Sequence, residues 1–285
     1  MHKLRFVTVV LVAVVALAGC EWQLLRPGGD AALRYRDEIF AGVTKTSDVT
    51  YRTANNLSGT PVTLKFDLYE PTGDTVTARP AIVWVHGGSF CCGNKTSPEL
   101  VDEANTFARK GYVNASISYR LEPGGCSAAA PTTTCIGAIQ EAIEDAQAAV
   151  AFLRTNAATY GIDPTRIAIG GTSAGAITAL NVGYESSEYP AGAVRAAVAL
   201  SGAVLLGRVT AGDAPALLFH GTSDNLVPYQ WAVNTVNSAK AAGDEAHLTT
   251  WEGAGHVPYV QYRTQILDQT TNFLYWKLDL PRAAK

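Results

Sequence analysis

The stretch Arg166-Ile-Ala-Ile-Gly-Gly-Thr-Ser-Ala-Gly175 limits what this chain can fold into more than any other part of it. Residues 167–169 form a short apolar run that reads as a buried strand, and residues 174–184 read as a helix. Between them Gly171-Thr172-Ser173-Ala174-Gly175 fits the pattern G-x-S-x-G. A serine at a sharp strand-to-helix turn is forced into a strained backbone conformation that lifts its hydroxyl clear of the sheet edge. Glycines two before and two after it are needed, because a Cβ at either place would collide with the neighbouring strand or helix. The turn also leaves the Ala174 N–H without an acceptor at a helix N-terminus, where a developing oxyanion can be held. In a chain with 26 glycines the five-residue pattern alone says little; its strand-turn-helix setting gives it weight.

The rest of the chain repeats the alternation. Residues 48–54 and 62–69 read as an antiparallel pair of strands with Asn55-Asn56-Leu57-Ser58-Gly59 as their turn. Residues 81–85 are continuously apolar, as in a strand buried on both faces, and run straight into His86-Gly87-Gly88-Ser89-Phe90. Further strands are expected at 112–118, 194–200, 216–219 and 247–251, and helices at 99–110, 137–160, 230–242 and 259–278. Ser97 is the expected cap of the first of these helices. The helix at 137–160 carries Ile139, Ile143, Ala146, Val150 and Leu153 on one face and is stopped by Gly161. Strand-helix alternation implies a mostly parallel sheet of about eight strands with helices on both faces.

In a parallel sheet the loops that follow strands gather at one edge. Ser173, Asp224 and His256 each stand just after a strand, in the order Ser…Asp…His. His256 is the candidate base and Asp224 the acid that orients it. His220 and His247 fall in strands, where a packed histidine is the ordinary case; Asp213 precedes its strand and so belongs to the opposite edge. Glu144 and Asp145 are adjacent on a helix, cannot face one substrate together, and read as surface or structural acids.

Four stretches carry a wider likeness: His86-Gly87-Gly88-Ser89, Tyr119-Arg120-Leu121-Glu122-Pro123, residues 160–167, and Gly221-Thr222-Ser223-Asp224-Asn225-Leu226-Val227-Pro228. Together with the serine turn they make the chain resemble the α/β-hydrolase superfamily, and within it the carboxylesterases with an H-G-G-G-type oxyanion loop. The resemblance covers roughly residues 60–273. It implies the α/β-hydrolase fold, a Ser173–Asp224–His256 triad, and an oxyanion hole built from the N–H groups of Gly88, Ser89 and Ala174. Ser89 stands where the pattern has its third glycine; a backbone donor tolerates that if its φ/ψ is allowed. His86 is expected to be structural, and Arg120 an ion-pair partner. Relatives that cover their cleft insert a helical cap after the strand at 194–200, but residues 201–213 leave no room for one, so the cleft should be open.

At 285 residues and 47% hydrophobic, the chain suits one catalytic domain, placed at residues 46–281. A net charge of −3 without a basic patch argues against nucleic acid as a partner. The first twenty residues differ: His2, Lys3 and Arg5 precede the apolar run 6–17, too short to span a bilayer and typical of a secretory signal. Leu17-Ala18-Gly19-Cys20 resembles a bacterial lipobox. That implies removal of residues 1–19, lipid on Cys20 and a membrane-anchored exported protein; an ordinary signal and a secreted product is the alternative. Residues 20–45 are read as a tether.

No H-E-x-x-H or C-x-x-C spacing suggests a metal, and the implied chemistry needs no cofactor. Cys126 and Cys135, nine residues apart in a segment with Gly124, Gly125 and Pro131, are expected to form a disulfide. Cys91 and Cys92 would then remain a vicinal pair, free or bridged; the competing arrangement ties each of them to one cysteine of the other loop. Phe90, Tyr119, Trp251 and Tyr259 lie near the loops and suit either an acyl or aryl pocket or core packing. The expectation is a serine carboxylesterase forming an acyl-enzyme on Ser173. A peptidase or amidase of the same fold, or a catalytically silent binding module, are the alternatives.

Overall fold

Eight strands form one sheet in the order β1-β2-β4-β3-β5-β6-β7-β8. A computed structural model describes residues 25–29, 31–126, 132–185, 190 and 192–280; the expected signal segment and Cys20 lie outside them. The strands are β1 (Val43–Asn55), β2 (Pro61–Pro71), β3 (Arg79–Val85), β4 (Val113–Ile117), β5 (Ile162–Thr172), β6 (Ala197–Leu200), β7 (Ala216–Gly221) and β8 (Ala246–Trp251). The helices are α1 (Pro98–Arg109), α2 (Thr133–Thr155), α3 (Ala157–Tyr160), α4 (Ala174–Tyr184), α5 (Tyr229–Ala242) and α6 (Tyr259–Lys277). β1–β2 and β2–β4 pair antiparallel, and every later pairing is parallel.

The apolar run of β3 shows why it is central. Ala81, Val83 and Val85 face one core with α2, α4 and α5, while Ile82 and Trp84 face the other with α1 and α6. Burying each large side chain of this kind contributes about 1.5–3 kcal/mol. Trp84 is fully buried and its Nε1–H donates to Asn114 Oδ1 at 3.0 Å, so its polar atom is satisfied. Its ring lies where a Cβ on Gly170 of β5 would go, which explains a glycine inside a strand.

Several boundaries differ from those expected. Helix α2 starts at Thr133, not 137, because the Thr132 hydroxyl accepts from Cys135 N–H at 3.1 Å and caps the helix a turn earlier. It ends at Thr155, where Asn156 takes non-helical φ/ψ and separates the short α3 from it. Ser97 stands at the N-cap of α1 without a side-chain bond; Pro98 at the first turn fixes the start instead. The part of the expected tether at 31–40 is docked rather than free. Tyr35 is 1% exposed and donates its N–H to Lys110 O at 2.8 Å, and Arg36 holds the carbonyls of Pro27, Gly28, Gly29 and Ala31. Residues 201–215 between β6 and β7 contain no helix or strand, so no cap stands there.

Arg120 bonds Asp145, Glu141 and Glu144 on α2 and the Asn55 carbonyl at the end of β1. Asp145 also pairs with Arg52 at 2.9 Å. These acids pin α2 to the antiparallel edge, far in sequence and in role from the loops considered next.

Candidate active site

The strand-to-helix turn has the predicted strain. Ser173 takes φ 53° and ψ −118°, and its N–H donates to Leu200 O of β6 at 2.9 Å. A Cβ on Gly175 would overlap the Val85 carbonyl of β3, and one on Gly171 would meet the Gly175 and Val85 carbonyls. The backbones of β3, β5 and α4 therefore meet with no space between them, and the serine hydroxyl projects from the C-terminal edge of the sheet. Ala174 opens α4, so its N–H has no acceptor within the helix.

Two other loops at this edge bring up the remaining groups. His256 Nε2 lies 2.8 Å from Ser173 Oγ, and His256 Nδ1 lies 2.8 Å from Asp224 Oδ2. A carboxylate only accepts, so the proton sits on Nδ1 and the bare Nε2 accepts from the serine hydroxyl. Asp224 Oδ1 accepts from the N–H groups of Leu226 and Val227, both at 2.9 Å. Burial pushes the Asp224 carboxyl up, but bonds from His220, His256, Val227 and Leu226 outweigh it and hold the group well below its ordinary range. The two loops are stitched together by Ser223 N–H to Ala254 O at 2.9 Å and Gly253 N–H to the Thr222 hydroxyl at 2.8 Å. A Cβ on Gly221 would overlap the Ala254 carbonyl, another place where only glycine lets the chains approach.

Two residues at this site were given no role there from sequence. His220 at the end of β7 is fully buried, and its Nε2 lies 2.9 Å from Val227 O and 3.2 Å from Asp224 Oδ2. Its Nε2–H donates to the Val227 carbonyl, and the ring thereby stands against the same carboxylate oxygen that His256 uses. Its packing is as expected of a strand histidine; the only hint of more is its position four residues before the acid. Ser201, buried after β6 with φ 58°, accepts the Val257 N–H at 3.0 Å and fixes the backbone next to His256. A lone serine after a strand gives no such signal. Asp213 accepts from Thr210 N–H within its own turn, and His247 lies 2.7 Å from Glu245, so neither joins the group.

The loop after β3 supplies the opposite wall. Gly88, Ser89 and Phe90 take φ of 117°, 52° and 62° in succession, and Gly88 O accepts from the N–H groups of Cys91 and Cys92 at 3.0 Å each. Ser89, Ser173 and Ala174 line one cavity of about 240 Å³ together with Phe90, Ile177 and Leu205. Gly88 is not among the residues lining it, so of the three expected oxyanion donors Ser89 and Ala174 face the cavity. His86 is buried, stacks on Tyr119 at 4.3 Å and donates from Nδ1 to Gly87 O at 2.6 Å. Burial pushes its imidazole down to about 4, so it is neutral and structural.

Of the four aromatic residues named from sequence, Phe90 alone lines the cavity. Tyr119 is buried beneath His86, and Trp251 and Tyr259 belong to the core on the other face, where Trp251 stacks on Tyr262 at 4.2 Å. Cys126 and Cys135 form a disulfide, with Cα atoms 4.6 Å apart, and Cys126 N–H donates to Ser89 O at 2.9 Å. Cys91 and Cys92 are free thiols with sulfurs 2.6 Å apart, so the crossed pairing is not formed.

A model of the Phospholipase/Carboxylesterase family matches residues 133–275, half of the chain, and the BD-FAE model matches residues 66–196. Two curated relatives are 36% identical. One is a probable isoprenylcysteine alpha-carbonyl methylesterase of Oryza sativa subsp. japonica, matched over 112 residues, 39% of this chain and 23% of that protein. The other is phenmedipham hydrolase of Pseudarthrobacter oxydans, over 114 residues, 40% of this chain and 21% of that protein. An isoprenylcysteine alpha-carbonyl methylesterase of Arabidopsis thaliana is 23% identical over 67% of this chain and 53% of its own length. The chain thus spans from about a fifth to about half the length of these relatives. Among solved structures, Thermogutta terrifontis esterase 2 phosphoramylated by tabun has the same fold at a TM-score of 0.68 and 24% identity, covering 86% of this chain and 97% of that one. The butyrate-bound esterase of that species aligns at a TM-score of 0.64 and 22% identity, covering 80% and 94%. With this sheet, this serine turn and a family model matched from α2 into α6, the chain belongs to the Phospholipase/Carboxylesterase family of α/β-hydrolase esterases.

Proposed function

We propose that the protein is a serine carboxylesterase working through an acyl-enzyme on Ser173. The observation that carries this is one imidazole, His256, bridging Ser173 Oγ and Asp224 Oδ2 at 2.8 Å each, beside a cavity lined by Ser89 and Ala174. Ser173 Oγ attacks the ester carbonyl as its proton passes to His256 Nε2. Asp224, kept ionised by its four donors, orients the ring and stabilises the imidazolium. The carbonyl oxygen gathers charge in front of Ser89 and Ala174. His256 returns its proton to the leaving alcohol, then activates water, which releases the acid and frees Ser173. With no cap over residues 201–215, short acyl groups or bulky esters presented from outside are the expected substrates.

A serine-reactive fluorophosphonate should label Ser173, and a panel of nitrophenyl esters should be turned over while peptide amides are not. Ser173→Ala should abolish labelling and lower turnover roughly 10⁴-fold or more with the fold intact. Turnover within tenfold of the parent, or faster cleavage of amides than esters, would overturn the reading.

The location follows from sequence: the lipobox-like Leu17-Ala18-Gly19-Cys20 supports export and a lipid anchor on Cys20 in a bacterial envelope. Each buried methylene contributes about 0.8 kcal/mol, so two or three acyl chains hold where one is marginal. Mass spectrometry of the mature N-terminus should find a lipidated Cys20; a different, unmodified first residue would end this part of the proposal.

A further inference from the structure

The segment that stands where a cap would be inserted shapes more than the catalytic cavity. Leu205 lines that cavity and also a second, larger hollow of about 530 Å³ between this segment and α5. Val209 and Trp231 give the second hollow apolar surface, Asn234 and Ser238 an amide and a hydroxyl, and Arg208 a guanidinium. Among the described residues no acidic side chain lines either hollow. Among the described residues Arg208 makes no ion pair, although 25 acids are spread over the chain. An exposed arginine by itself is ordinary. This one stands in the wall of a hollow that shares Leu205 with the nucleophile's cavity.

Size gives the second argument. The catalytic cavity, at about 240 Å³, holds only a short group beside Ser173. Sites for larger small molecules occupy about 300–1,000 Å³. The second hollow, at about 530 Å³, lies in that range by itself, with the scissile carbonyl on one side of the shared Leu205 and a cation on the other.

We infer that the second hollow is a far subsite for the ester, and that preferred substrates carry a carboxylate several bonds from the scissile carbonyl. Arg208 holds the carboxylate, with Asn234 and Ser238 in reach of its remaining lone pairs, and Trp231 and Val209 lie against the intervening hydrocarbon. This rests on the esterase reading and specifies which esters fit it.

The test compares kcat/KM within two matched pairs. Mono-4-nitrophenyl suberate against 4-nitrophenyl octanoate places the charge on the acyl side; 5-carboxypentyl butyrate against hexyl butyrate places it on the alcohol side. At low salt the carboxylate member of one pair should be preferred by about tenfold, the scale of one charge-assisted contact. The preference should shrink in about 0.5 M salt, where exposed charges are screened. Arg208→Ala should bring the ratio near one and Arg208→Glu below it; because it is a ratio within each protein, a change in folded fraction cancels. A parent ratio near one in both pairs, or a preference that survives Arg208→Ala, would overturn the subsite while leaving the esterase standing. Failure to turn over any of the four esters would remove the esterase reading, and this one with it.

Discussion

The serine turn after β5 and the loop after β3 stand at the same edge of neighbouring strands, and both contain residues with positive φ. They are held there by partly different means. At the serine turn one non-glycine residue is strained, and it is locked by contact: Gly171 and Gly175 leave no room for a Cβ against the Val85 carbonyl. In the loop after β3 Gly88, Ser89 and Phe90 all have positive φ, and hydrogen bonds tie them to a neighbouring segment. Phe90 O accepts from Glu122 N–H and Ser89 O from Cys126 N–H, both at 2.9 Å, so the loop leans on the segment that the disulfide closes. Both depend on missing atoms, since a Cβ on Gly88 would overlap the Cys92 carbonyl, but the second depends also on a neighbour staying in place.

If that contrast is right, Gly175→Ala is the most damaging change available at this edge. Its Cβ has nowhere to go except into backbone, and it should destabilise by about 3 kcal/mol or more, measured by chemical denaturation or seen as loss of soluble protein. A variant of near-parental stability would break the comparison. The paired change Cys126→Ser with Cys135→Ser should come next, at roughly 2–3 kcal/mol for a loop of this size. It should also lower kcat, since Ser89 loses its support, while fluorophosphonate labelling of Ser173 persists; unchanged kcat would mean that the loop after β3 does not lean on that segment.

The acid loop extends the comparison, being held by hydrogen bonds to a side chain. His220→Ala should lower kcat about tenfold with KM unchanged, and His220→Gln, which restores an amide donor near Asp224, should recover part of it. A depressed carboxylate contributes stability that is fully present above its unfolded pKa of about 3.9 and is lost as pH falls on through its folded one. The variant, with one partner fewer beside Asp224, should therefore trail the parent at pH 7 and close on it only as pH falls through the folded-state values, well below the ordinary carboxylate range. A stability gap independent of pH would reduce His220 to plain packing. Ser89→Gly should have the smallest effect, a gain of at most about 1 kcal/mol, because glycine adopts the φ of 52° without strain. Thermal denaturation with parental kcat/KM would agree; a loss of activity would show that the Ser89 side chain does more than fill the position.

The parts visible in the sequence were those where backbone geometry dictates residue type. Gly171, Ser173 and Gly175 leave almost one arrangement open, and the apolar runs of β3 and β7 could only be central strands. What stayed hidden depends on contacts between distant segments. His220 looks like any core histidine until Asp224 folds back on it, and Ser201 matters only because Val257 arrives beside it. The packing of residues 31–40 was missed because it relies on Arg36 collecting carbonyls and on one ring, Tyr35, meeting Tyr112 edge-on at 5.4 Å. Neither produces periodicity. Helix α2 shifted by a turn because a threonine hydroxyl outweighed the glycine at 137 as a starting signal.

That docked segment has a bearing on orientation. Its partners Arg109 and Lys110 lie just ahead of β4, and Leu25 is held by Trp276 near the end of α6, all at the edge where the parallel strands begin. Ser173 stands where they end, roughly 20 Å away at about 3.3 Å per strand residue. Whatever precedes residue 25, whether lipid, fusion partner or solid support, thus joins the molecule on its far side. A protein immobilised through that end would keep its mouth turned to the solution.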